Sequence, residues 1–263
     1  MRPSKRFLAN RPFGKSSQHK SLLVTYSPVF IGRTLSDSYE SDYIYVHGPE
    51  MIRVSKFYKE SKEGKFVSFM DKDVRTLYDS FRKGAKESNN GPCLGWRESF
   101  TKPYQWLHYN ETLLRAKNFG SGLVSHGLYP SSETFIGIYS QNCPEWILTE
   151  QAAYCYSMVI VPLYDTLGPD ACAYIIKQTE ISVVVCDDDA KCNLILDKAP
   201  RCLKKLIVIR ETRPATNQRA RNRGVEIIRF EDVEKLGASK DNPEVVRPFL
   251  DNYSCRTITR NTL

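Results

Sequence analysis

The residues most able to do chemistry lie between Ser140 and Asp189. Asp187, Asp188 and Asp189 are three adjacent carboxylates, a donor set that offers oxygen ligands to a hard divalent cation. The same triplet at the start of a helix would cap free N–H groups and oppose the helix dipole, and that simpler reading is favoured. Cys186, Cys192 and Cys202 could in principle bind zinc. Their spacing is not that of zinc ligands, however, and all four histidines (His19, His47, His108 and His126) precede them without a matching pattern. Gly120, Gly122 and Gly127 do not form a dinucleotide fingerprint: their spacing is wrong, and they fall inside or at the end of a helix instead of between strand and helix. The sequence has no G-x-x-x-x-G-K-[ST] loop, no G-x-S-x-G elbow and no H-E-x-x-H. Asn110-Glu111-Thr112 and Asn252-Tyr253-Ser254 match the glycosylation pattern, which means little without a secretory signal.

The elements around these residues alternate. Thr76 to Phe81 reads as part of a helix with Leu77 and Phe81 on one face, and Asn89-Asn90-Gly91-Pro92 as a turn; this region is a lead-in, not a core. Asn110 is the expected N-cap of a first long helix that ends at Gly127. Phe135 to Tyr139 reads as a buried strand, and Asn142-Cys143-Pro144-Glu145 as a capping box opening a helix to about Met158. Strands follow at Val159 to Leu163 and Ile181 to Cys186, with a helix between them from Gly168 to Thr179. Asp187 opens a helix to about Lys198. Leu206 to Ile209 and Val225 to Phe230 are strand-like, and Glu231 to Leu236 is a last helical turn or two. Short apolar strands alternating with helices predict a doubly wound, mainly parallel α/β sheet. Such sheets bind ligands beyond the carboxyl ends of their strands, which places Ser140, Tyr164, Asp165 and Asp187 where a site could be.

Composition narrows the class. The chain has 263 residues, 41% hydrophobic and 26% charged, as expected of one or two soluble domains, and no apolar run long enough to span a bilayer. Eight cysteines without a signal peptide suit a reduced intracellular protein in which pairing is not expected. Residues 1 to 36 carry seven Lys or Arg and no acid, against a formal net charge of +8. They read either as an organelle-targeting segment or as a mobile basic tail touching an anionic membrane surface. A second basic run, Asp197 to Arg223, holds nine Lys or Arg against Asp197 and Glu211. Charge split in this way does not make a nucleic-acid face, so no nucleic-acid partner is expected.

The stretch Tyr139-Ser140-Gln141-Asn142-Cys143-Pro144-Glu145-Trp146, with Ala153 to Pro169 after it, resembles the long-chain fatty-acyl-CoA synthetases. Arg75-Thr76-Leu77-Tyr78, Asn90 to Trp96 and Tyr104-Gln105-Trp106-Leu107-His108-Tyr109 resemble the same family, so the resemblance covers roughly residues 48 to 240. It implies an AMP-binding, adenylate-forming N-terminal domain, here partial, preceded by a disordered basic tail at 1–47 and followed by a diverging tail at 241–263. It also implies a ligase that uses ATP, Mg2+ and coenzyme A to convert a long-chain fatty acid to acyl-CoA through acyl-AMP. Such enzymes sit at the endoplasmic reticulum or mitochondrial outer membrane; the family's N-terminal anchor is not found here. The family's Ser/Thr/Gly-rich phosphate loop should follow Phe230 to Gly237, but residues 238 to 263 contain no Gly and only Lys240. No catalytic, cofactor-binding or metal-ligating residue is therefore carried over, and no cofactor is expected to bind this chain tightly. Asn142, Glu145, Pro162 and Asp165 are read as capping and turn residues. The expectation is a chain inactive alone, with a non-catalytic module that joins full-length ligase or a membrane as the alternative.

Overall fold

A computed structural model describes the backbone of residues 41–45 and 51–55 and residues 71–246 except Asp165 and Leu167. Strands β1 (Ser41–Tyr45) and β2 (Met51–Ser55) pair antiparallel; β1 lies within the stretch expected as tail, whose first 40 residues are outside the described ones.

Helix α1 (Leu77–Glu87) starts from a reciprocal cap. Thr76 Oγ1 accepts from Asp79 N at 3.1 Å, and Asp79 Oδ2 accepts from Thr76 N at 3.0 Å. Only Phe81 of the expected apolar pair is buried; Leu77 is 46% exposed. Asn89 and Asn90 then take left-handed φ values of 50° and 59°, which Asn tolerates better than other non-glycine residues, and turn the chain into β3 (Pro92–Trp96). β3 pairs antiparallel with β4 (Gln105–His108), a hairpin the sequence did not reveal. Phe81, Cys93, Leu94, Leu107, Tyr109 and Ile147 form a separate small core, so this lead-in has a core after all. Its Phe81 and Tyr109 rings meet edge to face at 5.1 Å.

Helix α2 (Tyr109–Ser125) begins two residues earlier than expected, from His108. Asn110 is not its cap but lies in the first turn, where its N–H donates to Asn90 Oδ1 at 2.8 Å, so the cap comes from the preceding turn. Gly127, at φ 95°, ends the helix as expected. The wound sheet follows: β5 (Phe135–Tyr139), α3 (Pro144–Cys155), β6 (Val159–Pro162), α4 (Gly168–Gln178), β7 (Val183–Cys186), α5 (Asp189–Asp197), β8 (Lys205–Val208), α6 (Pro214–Asn222), β9 (Glu226–Arg229) and α7 (Phe230–Lys240). All five strands are parallel, in the order β6-β5-β7-β8-β9.

Two expectations fail locally. Pro144 occupies the first turn of α3 and holds the residue before it extended, so the N-cap is Cys143 (φ −152°, ψ 163°) and the Asn142–Glu145 box is out of register by one. Helix α6 was missed because its buried side consists only of Thr216 and Ala220, too little apolar pattern to show among its arginines.

Alternation along the strands feeds two cores. Ile136, Val183, Val185 and Ile207 face α2, α3 and α7, while Tyr139, Val184, Cys186, Leu206 and Val208 face α4, α5 and α6. On the first face α2 and α7 approach to backbone contact. A Cβ on Gly122 would lie 2.0 Å from Val233 O, and one on Gly237 would lie 1.8 Å from Asn118 O. Phe119 stacks on Phe230 at 4.0 Å, and Arg115 binds Glu234 through two parallel bonds of 2.9 and 3.0 Å. Ser121 Oγ donates to Gly237 O at 3.0 Å and accepts from Asn242 N at 2.9 Å.

The stretch after α7 continues this contact. Tyr156 Oη donates to Asn242 O at 2.8 Å, Val245 N to Cys155 O at 2.9 Å, and Arg82 Nη2 pairs with Glu244 at 3.1 Å. Residues 241–246 are therefore packed into the domain, on the far side of the boundary drawn from sequence at 240.

Replacing Gly122 or Gly237 with Val must separate α2 from α7. Each change is expected to lower unfolding free energy by at least ~3 kcal/mol, beyond ordinary overpacking because the clash is with backbone. Urea denaturation midpoints of the two variants check this; an unchanged midpoint would refute the close approach.

Candidate functional site

The strand order reverses at β5. Its following helix α3 packs on one face of the sheet, whereas α5, following the adjacent β7, packs on the other, so the two chains diverge as they leave the sheet. That divergence opens a crevice at the carboxyl ends of β5 and β7, the switch point where wound sheets bind ligands. The β5–β7 ladder runs one residue past the strands, through Asp187 N to Tyr139 O at 3.2 Å, which sets Ser140 and Asp187 side by side at the rim.

Of the four residues expected there, Ser140 and Asp187 are brought together. Tyr164 follows β6, on the outer side of β5, and is 60% exposed; Asp165 lies outside the described residues. Sequence reasoning missed Arg210, whose Nε pairs with Asp187 Oδ1 at 3.3 Å and whose N–H donates to Asp187 O at 3.1 Å. No local pattern in the sequence signalled this contact: the register sets Val208 level with Cys186, and Arg210 reaches back to Asp187 from the second residue past β8. Lys191, also missed, is buried with Nζ 4.9 Å from the Tyr139 ring centroid.

The aspartate triplet is resolved into separate structural roles. Asp188 is the N-cap of α5, its Oδ1 accepting from Lys191 N at 2.9 Å. Asp189 Oδ1 accepts from Arg213 N at 2.8 Å, and Asp187 holds Arg210. Among the described residues, no group of three or more His, Cys, Asp or Glu is arranged to hold a metal ion. The basic run is similarly shared out. Lys198 pairs with Asp170, Lys205 with Glu226 at 2.8 Å, Arg210 with Asp187, Arg213 with Asp189, and Arg219 with Asp197. Carboxylates from several elements thus face five of the nine cations.

Among the described rim residues, the hydroxyl and thiol nearest the switch point are engaged locally. Ser140 Oγ donates to Gln141 O at 2.8 Å and lies 3.3 Å from Cys143 Sγ. Burial pushes the Cys143 thiol up to about 12, with the Glu145 charge adding to the rise and the Ser140 contact opposing it. A thiol so shifted stays protonated and unreactive at neutral pH. The described rim groups are thus paired with one another.

A five-stranded parallel sheet wound on both faces, with this switch point, is shared with part of the solved adenylation domains. The structure resembles the adenylation–carrier didomain of the Segniliparus rugosus carboxylic acid reductase solved with AMP (TM-score 0.57, 18% identity, 70% of this chain and 29% of that one). It also resembles a putative long-chain-fatty-acid CoA ligase from Rhodopseudomonas palustris (TM-score 0.50, 21% identity, 66% and 39%). Residues 81–247 match the AMP-binding enzyme family. Over 194 residues the chain is 43% identical to human long-chain-fatty-acid–CoA ligase 6, covering 72% of this chain and 28% of the relative. It is 41% identical over 187 residues to human long-chain-fatty-acid–CoA ligase 1 (69% and 26%) and 32% identical over 185 residues to Arabidopsis thaliana long chain acyl-CoA synthetase 1 (68% and 27%). The chain belongs to the AMP-binding enzyme family, on its long-chain acyl-CoA synthetase branch, and spans little more than a quarter of the length of these relatives.

Burial also raises Cys93 and Cys155 to about 11 and Cys186 well above its ordinary value. A thiol whose folded-state pKa is raised contributes stability below its unfolded pKa and loses it above. From about pH 9 to 11 the unfolded chain releases protons that the folded chain keeps, and each such thiol is expected to cost about 1.4 kcal/mol per pH unit. Iodoacetamide at pH 8 should therefore leave these four cysteines unmodified until urea is added, as peptide mass spectrometry would show. Rapid native labelling of Cys143 would contradict its burial.

Proposed function

We propose that the chain is the first part of the adenylate-forming domain of a long-chain fatty-acid–CoA ligase. The parent reaction joins ATP and a fatty acid to give acyl-AMP and pyrophosphate, after which the thiol of coenzyme A displaces AMP. The observation that carries this reading is the 43% identity over 194 residues to a ligase of that substrate class. In the proposal, residues 81–247 supply the wound sheet and its switch-point rim, and the remaining ligase sequence supplies the groups that hold ATP, Mg2+, fatty acid and coenzyme A. The 263 residues alone are then without turnover, because the described rim groups are paired with one another and none is activated.

Two measurements test this. The purified chain, given ATP, Mg2+, palmitate and coenzyme A, should release no pyrophosphate and form no palmitoyl-CoA; turnover would refute the inactivity. A chimera in which residues 81–247 replace the matching segment of human ligase 6 should retain acyl-CoA synthesis, within about tenfold in kcat/KM, a barrier change of about 1.4 kcal/mol. A chimera that folds but does not turn over would refute the assignment.

A second reading, a non-catalytic subunit of full-length ligase, draws on β6 and β9, which end the described sheet without a further strand. Failure of the chain to co-purify with full-length ligase would remove it. Contact of residues 1–36 with a membrane belongs to this reading and rests on their lack of acidic residues.

A further inference from the structure

We propose that the tip of the β3–β4 hairpin is a docking surface for an anionic phospholipid membrane, a role independent of the ligase reading. Three aromatic side chains gather there without entering the hairpin's own core: Phe100 is 77% exposed, Trp106 41% and Tyr104 38%. They are held in place, not merely left over. Trp106 stands opposite Gly95 in the ladder, and a Cβ on Gly95 would lie 2.7 Å from the indole, so the glycine allows the ring to lie flat across the strand. Tyr104 lies beside it at 5.9 Å between centroids. Arg97 bridges the group, with its guanidinium carbon 4.5 Å from the Phe100 ring centre and 5.1 Å from that of Tyr104, and its Nη1 donating to Phe100 O at 3.3 Å.

This composition matches the headgroup interface. Trp and Tyr favour that depth because each has an apolar body and a polar handle, and Phe at the turn can enter the acyl boundary. Arg97 and Lys102 face a single acid in the loop, Glu98, which leaves a net positive tip for lipid phosphates and anionic headgroups. The guanidinium stacked on the rings can keep its charge at phosphate depth while the rings go deeper. A dry protein partner would have to cover both the rings and the Arg97 charge, whereas an anionic bilayer satisfies both along one axis.

The intact chain carries its own reporter. Of its three tryptophans, Trp96 and Trp146 pack against the small core and Trp106 is exposed. Vesicles of phosphatidylcholine with phosphatidylserine should bind the chain and blue-shift its fluorescence, and brominated acyl chains should quench it. Trp106→Phe should abolish the quenching. Phe100→Asp, at an exposed turn position that leaves the fold intact, should weaken vesicle binding about tenfold or more. Pure phosphatidylcholine should bind more weakly than the anionic mixture. Absence of vesicle binding would overturn the proposal, as would binding by the basic N-terminal residues alone, read as unchanged affinity in Phe100→Asp with no quenching of Trp106. Gly95→Ala, which lifts the indole off the strand, gives an independent check: quenching unchanged in that variant would exclude the flat Trp106 as the contact.

Discussion

The domain depends on how closely α2 and α7 can approach. These helices are separated by more than a hundred residues, and between them the chain builds all five parallel strands with their four crossovers and returns. Together with α3 they cover one face of the sheet, and their own contact is set by two glycines that leave no room for a side chain. Once the backbones touch, Phe119 and Phe230 stack, Arg115 reaches Glu234 with both ends of its fork, and Ser121 serves as donor to Gly237 and acceptor from Asn242. Each of these bonds has a steep distance dependence, so a separation of one methyl group would weaken them together. The same contact directs residues 241–246 back across α3 toward Arg82 and Tyr78, which fixes where the chain stands as it leaves the described domain.

The crevice at the carboxyl ends of β5 and β7 follows from topology: adjacent parallel strands whose helices leave to opposite faces cannot close over their own ends. What differs between such crevices is the chemistry placed in them. Here the rim groups are matched to one another: Asp187 with Arg210, Asp188 with the α5 N-terminus, Ser140 with the Cys143 sulfur. Pairing of this kind holds the shape of the rim. Much of the cationic run from Asp197 to Arg223 serves a similar end, pairing with α4, α5 and β9 and so tying the second face together.

The strands from β5 onward were legible because a parallel strand buried on both faces is a continuous apolar run, and Phe135 to Tyr139 and Val183 to Cys186 are such runs. Helix α6 was hidden because its neighbours accept arginines as partners, so it needs only Thr216 and Ala220 inside. The β3–β4 hairpin was hidden because its strands are short and Trp106 and Tyr104 point outward, which spoils any count of alternation. Capping was legible in kind but shifted by one or two residues: Pro144 makes Cys143 the cap of α3, and α2 starts from His108, with Asn90, twenty residues upstream of Asn110, accepting from the Asn110 N–H.

By itself the sequence determined the alternating strands and helices, the parallel sheet they require, and a family likeness concentrated in Tyr139 to Pro169. These rest on local apolar period and on residue identity, both of which survive without coordinates. Only the tertiary structure decided which strands are neighbours, that Arg210 meets Asp187, and why Gly122 is a glycine. Those facts depend on contacts between residues far apart in the chain, where what fixes each side chain is the distance of closest approach between two backbones, and no local pattern encodes that distance.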